Sequence, residues 1–243
     1  MNGDVMLSVE NLSAWYAAAQ ILYDLTFEVG RGEVVALMGR NGAGKSTTLK
    51  AIMGLTARRA GTVRFNGHDI SRAKPFEIAR FGLGFTPEDR RIFSDLTVME
   101  NLDVGRQDPR TFADGHPAPA WTPEKLFALF PNLAEMRDRR GGQMSGGEQQ
   151  MLTVARTLMG NPLLVLLDEP SEGVAPLIVE QMAATIVALK KEGLSVLLSE
   201  QNIHFAELVS DRVYVLEKGQ LQWRGPMADL ARDAATQRSL LSV

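Results

Sequence analysis

The chain has 243 residues, of which 45% are hydrophobic, and this size and composition suit one large globular domain or two small ones. Its 26 Lys and Arg residues face 29 Asp and Glu residues, which gives a net charge of -3, and no basic block supplies the electrostatic footprint of a nucleic-acid-binding protein, so no nucleic-acid partner is expected. Disulfide frameworks and thiolate zinc sites are excluded because the sequence has no cysteine.

No segment of the sequence is typical of a signal peptide or of a membrane span. The first twelve residues, MNGDVMLSVENL, carry an acid early and lack both a cationic region and an apolar run, so we expect no signal peptide. The longest apolar runs, such as LLVLL at 163–167, are far shorter than the roughly 20 residues that cross a bilayer. If a membrane matters to this protein, we expect a partner to provide the contact.

The first third of the sequence is predicted to be rich in β-strands. Apolar alternation and apolar runs predict strands at 7–16, 22–29 and 33–38. A helix is expected over about 45–55, and the Asn-Gly pair at 66–67 predicts a hairpin because this dipeptide tolerates positive φ.

The rest of the sequence is predicted to combine a helical region with an α/β pattern. Helices are expected at 97–160, interrupted at 106–123 by a segment rich in Pro, Gly and Ala that is predicted to be a loop or an insertion. Strands and helices then alternate, which predicts an α/β core with parallel central strands. The predicted strands are 162–169, 195–200, 212–219 and 220–225, and the predicted helices are 177–192 and 203–209.

The segment GRNGAGKST matches the phosphate-loop pattern G-x-x-x-x-G-K-[ST] and lies between a predicted strand and a predicted helix, as this motif requires. Its glycines let backbone N–H groups point at phosphate oxygens, while Lys45 would reach the β and γ phosphates and Ser46 would offer a hydroxyl to Mg²⁺. A glycine-rich turn before a helix is the alternative. The candidate nucleotide-binding residues of this loop are Gly39, Arg40, Asn41, Gly42, Ala43, Gly44, Lys45, Ser46 and Thr47.

Two acidic residues end the apolar run LLVLLDE at 163–169. Asp168 can hold Mg²⁺, usually through a water molecule, and Glu169 can orient and deprotonate an attacking water. Alone, these acids could equally cap the next helix. A phosphate loop in the same chain favours the catalytic interpretation.

A serine and two glycines precede a further predicted helix in the segment QMSGGEQQMLTVART, which begins at Gln143. Ser145 and the backbone N–H groups of Gly146 and Gly147 are expected to face outward and to form a second anion site. An ordinary helix N-cap is the simpler interpretation.

The phosphate loop, MSGGE and LLVLLDE, in this order and spacing, resemble the ATP-binding subunits of ABC transporters. The family signature LSGGQ appears here with Met144 and Glu148 substituted, and the resemblance runs from Tyr16 to Gly219. It implies an α/β fold with a P-loop NTPase (RecA-like) core, an N-terminal antiparallel β subdomain and an inserted α-helical subdomain. A single domain over 1–243 is expected, with the core and β subdomain at about 1–96 and 161–243 and the helical subdomain at about 97–160.

The resemblance also implies ATP and Mg²⁺ as cofactors and a head-to-tail pair of ATPase subunits. In such a pair, the signature loop of one subunit covers the γ-phosphate held by the other, which fits a reaction that needs charge stabilisation from all sides. The signature residues that would act on the partner's ATP are Ser145, Gly146, Gly147 and Glu148.

Further roles follow from the resemblance. Tyr16 lies where the family stacks an aromatic ring on adenine, although an aromatic at a strand end could also belong to the core. SEGVAP at 171–176 occupies the loop that contacts the partner subunit. RRIFSDLTVMENL at 90–102 matches the segment that docks on a membrane subunit, unless Ile92 and Phe93 simply pack in the core.

Two residues depart from the family pattern. Glu88 stands where the family has a glutamine near Mg²⁺ and the attacking water, so the candidate metal ligands are Ser46, Glu88 and Asp168. Gln201 stands where most members have a histidine that contacts the γ-phosphate, and an amide can donate an N–H but cannot carry a proton near neutral pH. His204 is expected on the next helix as a partly buried residue rather than as a displaced switch.

The combination of SEQN with MSGGEQQ and SEGVAP resembles the smaller ATPase subunit of importers for branched-chain amino acids. The implied partners are a second ABC ATPase subunit, two membrane permeases and an extracytoplasmic solute-binding protein, and the implied location is peripheral, on the cytoplasmic face of the inner membrane. The alternatives are a urea or amide importer, a lipid-export ATPase and a soluble ABC ATPase outside transport.

Replacing Glu88 with glutamine is expected to keep ATP hydrolysis within a few-fold of the unchanged protein, because either side chain offers Mg²⁺ an oxygen. Steady-state ATPase assays of the variant beside the unchanged protein measure this. A complete loss of hydrolysis would show that the carboxylate has a role of its own.

Overall fold

Two β-sheets organise the chain, which we describe in a computed structural model for residues 5–241; the ends of the predicted domain, 1–4 and 242–243, lie outside the described residues. The strands are β1 (Val5–Tyr16), β2 (Ala19–Gly30), β3 (Val34–Met38), β4 (Arg58–Phe65), β5 (His68–Asp69), β6 (Leu83–Thr86), β7 (Leu164–Asp168), β8 (Ser195–Glu200), β9 (Arg212–Glu217) and β10 (Gln220–Pro226). The helices are α1 (Lys45–Ile52), α2 (Pro75–Arg80), α3 (Val98–Gly105), α4 (Pro123–Leu129), α5 (Pro131–Glu135), α6 (Gly146–Leu158), α7 (Pro176–Lys191), α8 (Ile203–Val209), α9 (Met227–Arg232) and α10 (Ala234–Thr236), with short turns at Gly141–Gln143 and Gln237–Leu241.

The smaller sheet is antiparallel, with strand order β2-β1-β4-β5. Asn66 and Gly67 form its last turn with φ of 46° and 81°, and Phe65 pairs with His68 across that turn. The predicted strands at 7–16 and 22–29 and the predicted hairpin are therefore confirmed.

The larger sheet has strand order β10-β9-β3-β8-β7-β6, and all neighbours are parallel except β10, which pairs antiparallel with β9. Every residue of β3, β7 and β8 is buried, as expected for parallel strands covered on both faces. One face packs on α1 and the smaller sheet and the other on α6 and α7. The predicted α/β core with parallel central strands is confirmed.

Parallel strands bring their carboxyl ends to one edge of a sheet, and the register here places three loops side by side. Met38 pairs with Glu200, and Asp168 pairs with Ser199. The loops that follow β3, β7 and β8 therefore start next to one another.

The helices largely follow the sequence-based expectation. The helix expected over 45–55 ends at Ile52, and Gly54 beyond it takes a left-handed φ of 70°, as is common after a helix C-terminus. Between 97 and 160 the secondary structure is helical, as predicted. Among residues 5–241, no helix has the length and apolar character needed to cross a bilayer.

The segment predicted as a loop or insertion, 106–123, is irregular up to Thr122, after which α4 begins, but it is packed. Trp121 is buried, and its backbone N–H donates to Asn161 Oδ1 at 2.6 Å. The Asn161 side-chain amide donates in turn to the Gln107 carbonyl at 2.6 Å. One buried asparagine thus fastens both ends of the segment to the turn that precedes β7.

Replacing Asn161 with aspartate keeps the acceptor for Trp121 and suits the φ of 47°, but it turns a carboxylate toward the Gln107 carbonyl. The free energy of unfolding is expected to fall by about 1–3 kcal/mol, the usual cost of a buried polar group that loses its partner. Urea unfolding measures this. Gln107→Ala, which removes only an exposed side chain, should stay within about 0.5 kcal/mol, and equal losses in both variants would contradict the assignment.

Candidate nucleotide-binding site

The phosphate loop joins the buried strand β3 to α1, and its conformation requires glycine. A Cβ atom on Gly39 would lie 2.3 Å from the Leu216 carbonyl oxygen, and one on Gly44 would lie 2.8 Å from Leu22 Cδ2. Gly44 also caps α1 with φ of 107° and offers no side chain to its first turn. The N–H groups of that turn therefore remain able to bind an anion.

The turn between β9 and β10 braces the phosphate loop. Gly219 donates its N–H to the Ala43 carbonyl at 2.9 Å and accepts the Tyr23 N–H at 2.9 Å. A Cβ atom on Gly219 would lie 1.8 Å from the Ile21 carbonyl oxygen. The loop is therefore held between the two sheets.

Lys45 is buried, with 3% of its surface exposed. Its Nζ donates to the Gly39 carbonyl at 2.9 Å and lies 3.1 Å from Glu169 Oε1. A buried ammonium needs a compensating charge. In this structure the carboxylate of Glu169 supplies that charge.

Asp168, the last residue of β7, has chemistry that suits a cation. It is buried, and its Oδ1 accepts the Ser199 hydroxyl at 2.7 Å. Its Oδ2 is buried without a hydrogen-bond partner among the described residues. Between residues 5 and 241 no three Asp, Glu, His or Cys residues form a metal-binding group.

Glu169 and Gln201 contact each other. Gln201 Nε2 donates to Glu169 Oε2 at 3.1 Å, and the Glu169 N–H contacts both the side-chain and the backbone oxygen of Ser199 at 3.1 Å. Glu169 holds a left-handed φ of 48°, which turns the chain sharply after β7. The two side chains thus lie between the ends of β7 and β8, with Lys45 on the other oxygen of Glu169.

A cleft of about 340 Å³ opens over the phosphate loop. Tyr16 lies on its wall with 45% of its surface exposed, so the ring does not belong to the core. Glu88 is exposed at the same cleft. Glu172 also lines it and was not singled out from the sequence. The lining residues are Tyr16, Ile21, Asn41, Gly42, Gly44, Lys45, Ser46, Thr47, Glu88, Glu169 and Glu172.

The other predicted site residues do not line this cleft, although Gln201 contacts Glu169, which does. They are Gly39, Arg40, Ala43, Asp168, Gln201 and the signature residues 145–148. Ser145 caps α6: its Oγ accepts the Glu148 N–H at 3.4 Å, and Glu148 Oε2 accepts the Ser145 N–H at 2.7 Å. The expected helix N-cap is therefore present, in the form of a capping box. A Cβ atom on Gly146 would lie 2.9 Å from Arg90 Nη1, so this glycine lets the guanidinium pack on the helix start.

The segment 90–102 is fixed by one buried side chain. Asn101 donates to the carbonyls of Phe93, Leu96 and Thr97 and accepts the Phe93 N–H, all at 2.9–3.2 Å. Core packing was the alternative interpretation for Ile92 and Phe93. Ile92 does pack on the core, but Phe93 does not, because 47% of its surface is exposed.

This segment is also joined to α6. The Arg90 carbonyl accepts the Thr153 hydroxyl at 3.0 Å and an Arg156 N–H at 3.3 Å.

The prediction for His204 is correct for its helix and wrong for its burial. His204 lies on α8 as predicted, but its side chain is 86% exposed rather than partly buried. Ile203, Phe205 and Ala206 supply the buried face of this helix, which leaves position 204 in solvent.

Glu200 is a buried residue for which the sequence indicated no role. Only 2% of its surface is exposed. Burial raises the pKa of its carboxyl above the usual range, although hydrogen bonds from Ser171, Asn202 and Gln201 lower it in part.

A phosphate loop between β3 and α1, with acidic residues at the end of β7, defines a P-loop nucleotide hydrolase. The ABC transporter family profile matches residues 22–172, more than half of the sequence, and the chain belongs to this family. It is accordingly an ATPase subunit of the ATP-binding cassette type.

Individual relatives cover nearly the whole chain. The high-affinity branched-chain amino acid transport ATP-binding protein BraG of Pseudomonas aeruginosa is 44% identical over 221 residues, 89% of this chain and 91% of the relative. The lipopolysaccharide export system ATP-binding protein LptB of Haemophilus influenzae is 33% identical over 97% of both chains. The ADP conformation of an ATP-binding cassette of an ABC transporter matches with a TM-score of 0.78 and 26% identity, over 98% of this chain and 97% of that one.

Replacing Gln201 with alanine removes the N–H that holds Glu169 Oε2 and is expected to lower kcat for ATP at least about tenfold, since positioned proton acceptors contribute about 10²–10⁴-fold. His204→Ala is the matched control, three residues further on and exposed, and should leave kcat unchanged. Steady-state ATPase assays of both variants and of the unchanged protein measure kcat. Loss of activity in the His204 variant alone would contradict the placement of the switch at Gln201.

Proposed function

We propose that this protein binds and hydrolyses ATP to energise an ABC importer for branched-chain amino acids. The observation that carries the proposal is the 44% identity to BraG along nearly the full length of both chains, against 33% to LptB. Gln201 adds support, because the lipid-export branch of the family resembles the members that have a histidine at this position.

ATP is proposed to lie in the cleft over the phosphate loop, with adenine against Tyr16 and the phosphates at the N-terminus of α1. The phosphates would replace Glu169 as the partner of Lys45, whose Nζ lies 3.1 Å from Glu169 Oε1. Substrate binding would thereby release the carboxylate for chemistry. The exchange keeps the buried ammonium paired throughout.

Ser46, Asp168 and Glu88 are the proposed residues around Mg²⁺. The Ser46 hydroxyl and Glu88 line the cleft, and Asp168 has a buried oxygen without a partner in the described chain. Bound Mg²⁺ would neutralise charge on the β and γ phosphates. This donor set of oxygens fits the ion.

Glu169 is proposed to accept a proton from the attacking water, with Gln201 holding its orientation. The 3.1 Å hydrogen bond from Gln201 leaves an N–H of that amide able to turn toward the γ-phosphate. Gln201 carries no proton near neutral pH, so Glu169 is the only proton acceptor assigned in this pair.

The signature residues Ser145, Gly146, Gly147 and Glu148 are proposed to act on ATP held by a second ABC ATPase subunit. Their absence from the lining of the cleft within one chain supports such a role, as does the exposure of Ser145 at the N-cap of α6. The loop at 171–176 is proposed to meet the same partner. The branch resemblance favours a second, similar chain over an identical copy.

The remaining proposed partners are two membrane permeases and an extracytoplasmic solute-binding protein, with this chain peripheral on the cytoplasmic face of the inner membrane. Phe93 on the segment 90–102 would meet a permease. The hydrogen bonds from Thr153 and Arg156 to the Arg90 carbonyl would couple movement of that segment to α6. Helix α6 belongs to the proposed helical subdomain at about 97–160.

A lipid-export ATPase is the second candidate, favoured by the match to LptB over 97% of both chains. The two functions differ in their assemblies. An importer needs a solute-binding protein that captures its cargo.

The tagged full-length chain, recovered from detergent-solubilised membranes of its source organism with trapped MgATP, is expected to copurify with two permeases and a second ATPase. Mass spectrometry identifies them, and untagged membranes give the background. The solute-binding protein encoded with those permeases should then bind leucine, isoleucine or valine. If the solute-binding protein binds urea and none of these amino acids, urea replaces them as the proposed solute. Recovery of soluble partners only would contradict a transport function.

A further inference from the structure

Glu200 ends β8 between two loops of the site. Its carboxylate accepts three backbone N–H groups: Ser171 at 3.1 Å on Oε1, and Gln201 at 3.0 Å and Asn202 at 3.1 Å on Oε2. Ser171 belongs to the loop that follows Glu169. Both oxygens are therefore used, each on a different loop.

A carboxylate in this position is costly to bury, because only 2% of Glu200 is exposed. Within residues 5–241 it forms no ion pair that would offset the cost. The compensation comes from hydrogen bonds, which are those of the three backbone N–H groups and one with the Ser171 side chain. Only an acceptor at both oxygens satisfies all three donors, and neither an amide nor an apolar side chain provides that.

The turn held by Glu200 is the one that carries Gln201. With its own N–H and that of Asn202 fixed, Gln201 projects its side chain back over the end of β8 and donates to Glu169 Oε2 at 3.1 Å. The N–H of Ser171 fixes the chain two residues after Glu169. One carboxylate thus anchors the backbone at both ends of the Gln201–Glu169 hydrogen bond.

We propose that Glu200 is a positioning residue for ATP hydrolysis, which holds the amide of Gln201 against the carboxylate of Glu169. This inference rests on the roles proposed above for Glu169 and Gln201. Glu200 touches no reacting atom and acts through Gln201.

The first test is Glu200→Gln in the full-length chain. Replacing an acceptor oxygen by an NH₂ group opposes at least one backbone donor, so kcat for ATP should fall at least about tenfold, within the range for small misplacements of catalytic groups. KM for ATP should stay within about twofold, because the phosphate loop is untouched. A thermal melt verifies folding, and if the variant does not fold, Glu200→Asp, which keeps the charge on a shorter stem, carries the same test.

Ser195→Ala is the matched control. Ser195 is buried at the other end of β8, and its hydroxyl also accepts a backbone N–H, that of Gly32, at 2.9 Å. This variant should lose stability but keep kcat. Equal losses of kcat in the two variants would mean that any damage to β8 slows the enzyme, and would overturn the proposal.

A double-mutant cycle separates positioning from a general structural role. In the background of Gln201→Ala, adding Glu200→Gln should change kcat by less than about twofold, since the interaction it supports is already gone. If the double variant loses kcat by the product of the two single losses, Glu200 acts independently of Gln201. If Gln201→Ala hydrolyses ATP normally, the proposed role of Gln201 fails and the inference falls with it; if Gln201→Ala is slow and Glu200→Gln is normal, only the inference fails.

Discussion

The register of β3, β8 and β7 is the constraint on which the site depends. Because Met38 pairs with Glu200 and Asp168 with Ser199, the ends of the three strands are level. The loops after them can then share bonds: Lys45 with Glu169, Glu169 with Gln201, and Glu200 with Ser171. A slip of β8 by one residue would turn the side chain of Glu200, its last residue, to the opposite face of the sheet.

The local elements were predictable because they follow from short patterns. The sequence yields β8 at 195–200 and α8 at 203–209 with the bounds that the structure has, since a buried parallel strand is a continuous apolar run. The phosphate loop was equally clear from its glycines. The S-x-x-E pattern of Ser145 and Glu148 is also the sequence signature of the capping box that the structure contains.

The bonds between elements were not predictable in the same way. The pairing of Lys45 with Glu169 and the hydrogen bond from Ser171 to Glu200 join positions far apart in the sequence, and no periodicity encodes them. The exposure of His204 depended on which face of a seven-residue helix is buried, and so short a helix gives a weak pattern. The domain division and the roles of the site residues stay predictions.

The brace that Gly219 forms under the phosphate loop has a thermodynamic consequence. With its N–H on the Ala43 carbonyl and its own carbonyl on the Tyr23 N–H, this turn fixes the loop through hydrogen bonds that need no phosphate. Ordering a flexible backbone costs about 1–2 kcal/mol per residue. A preorganised loop avoids that entropic loss at the moment of association, so the attraction between phosphate and backbone appears more fully as affinity.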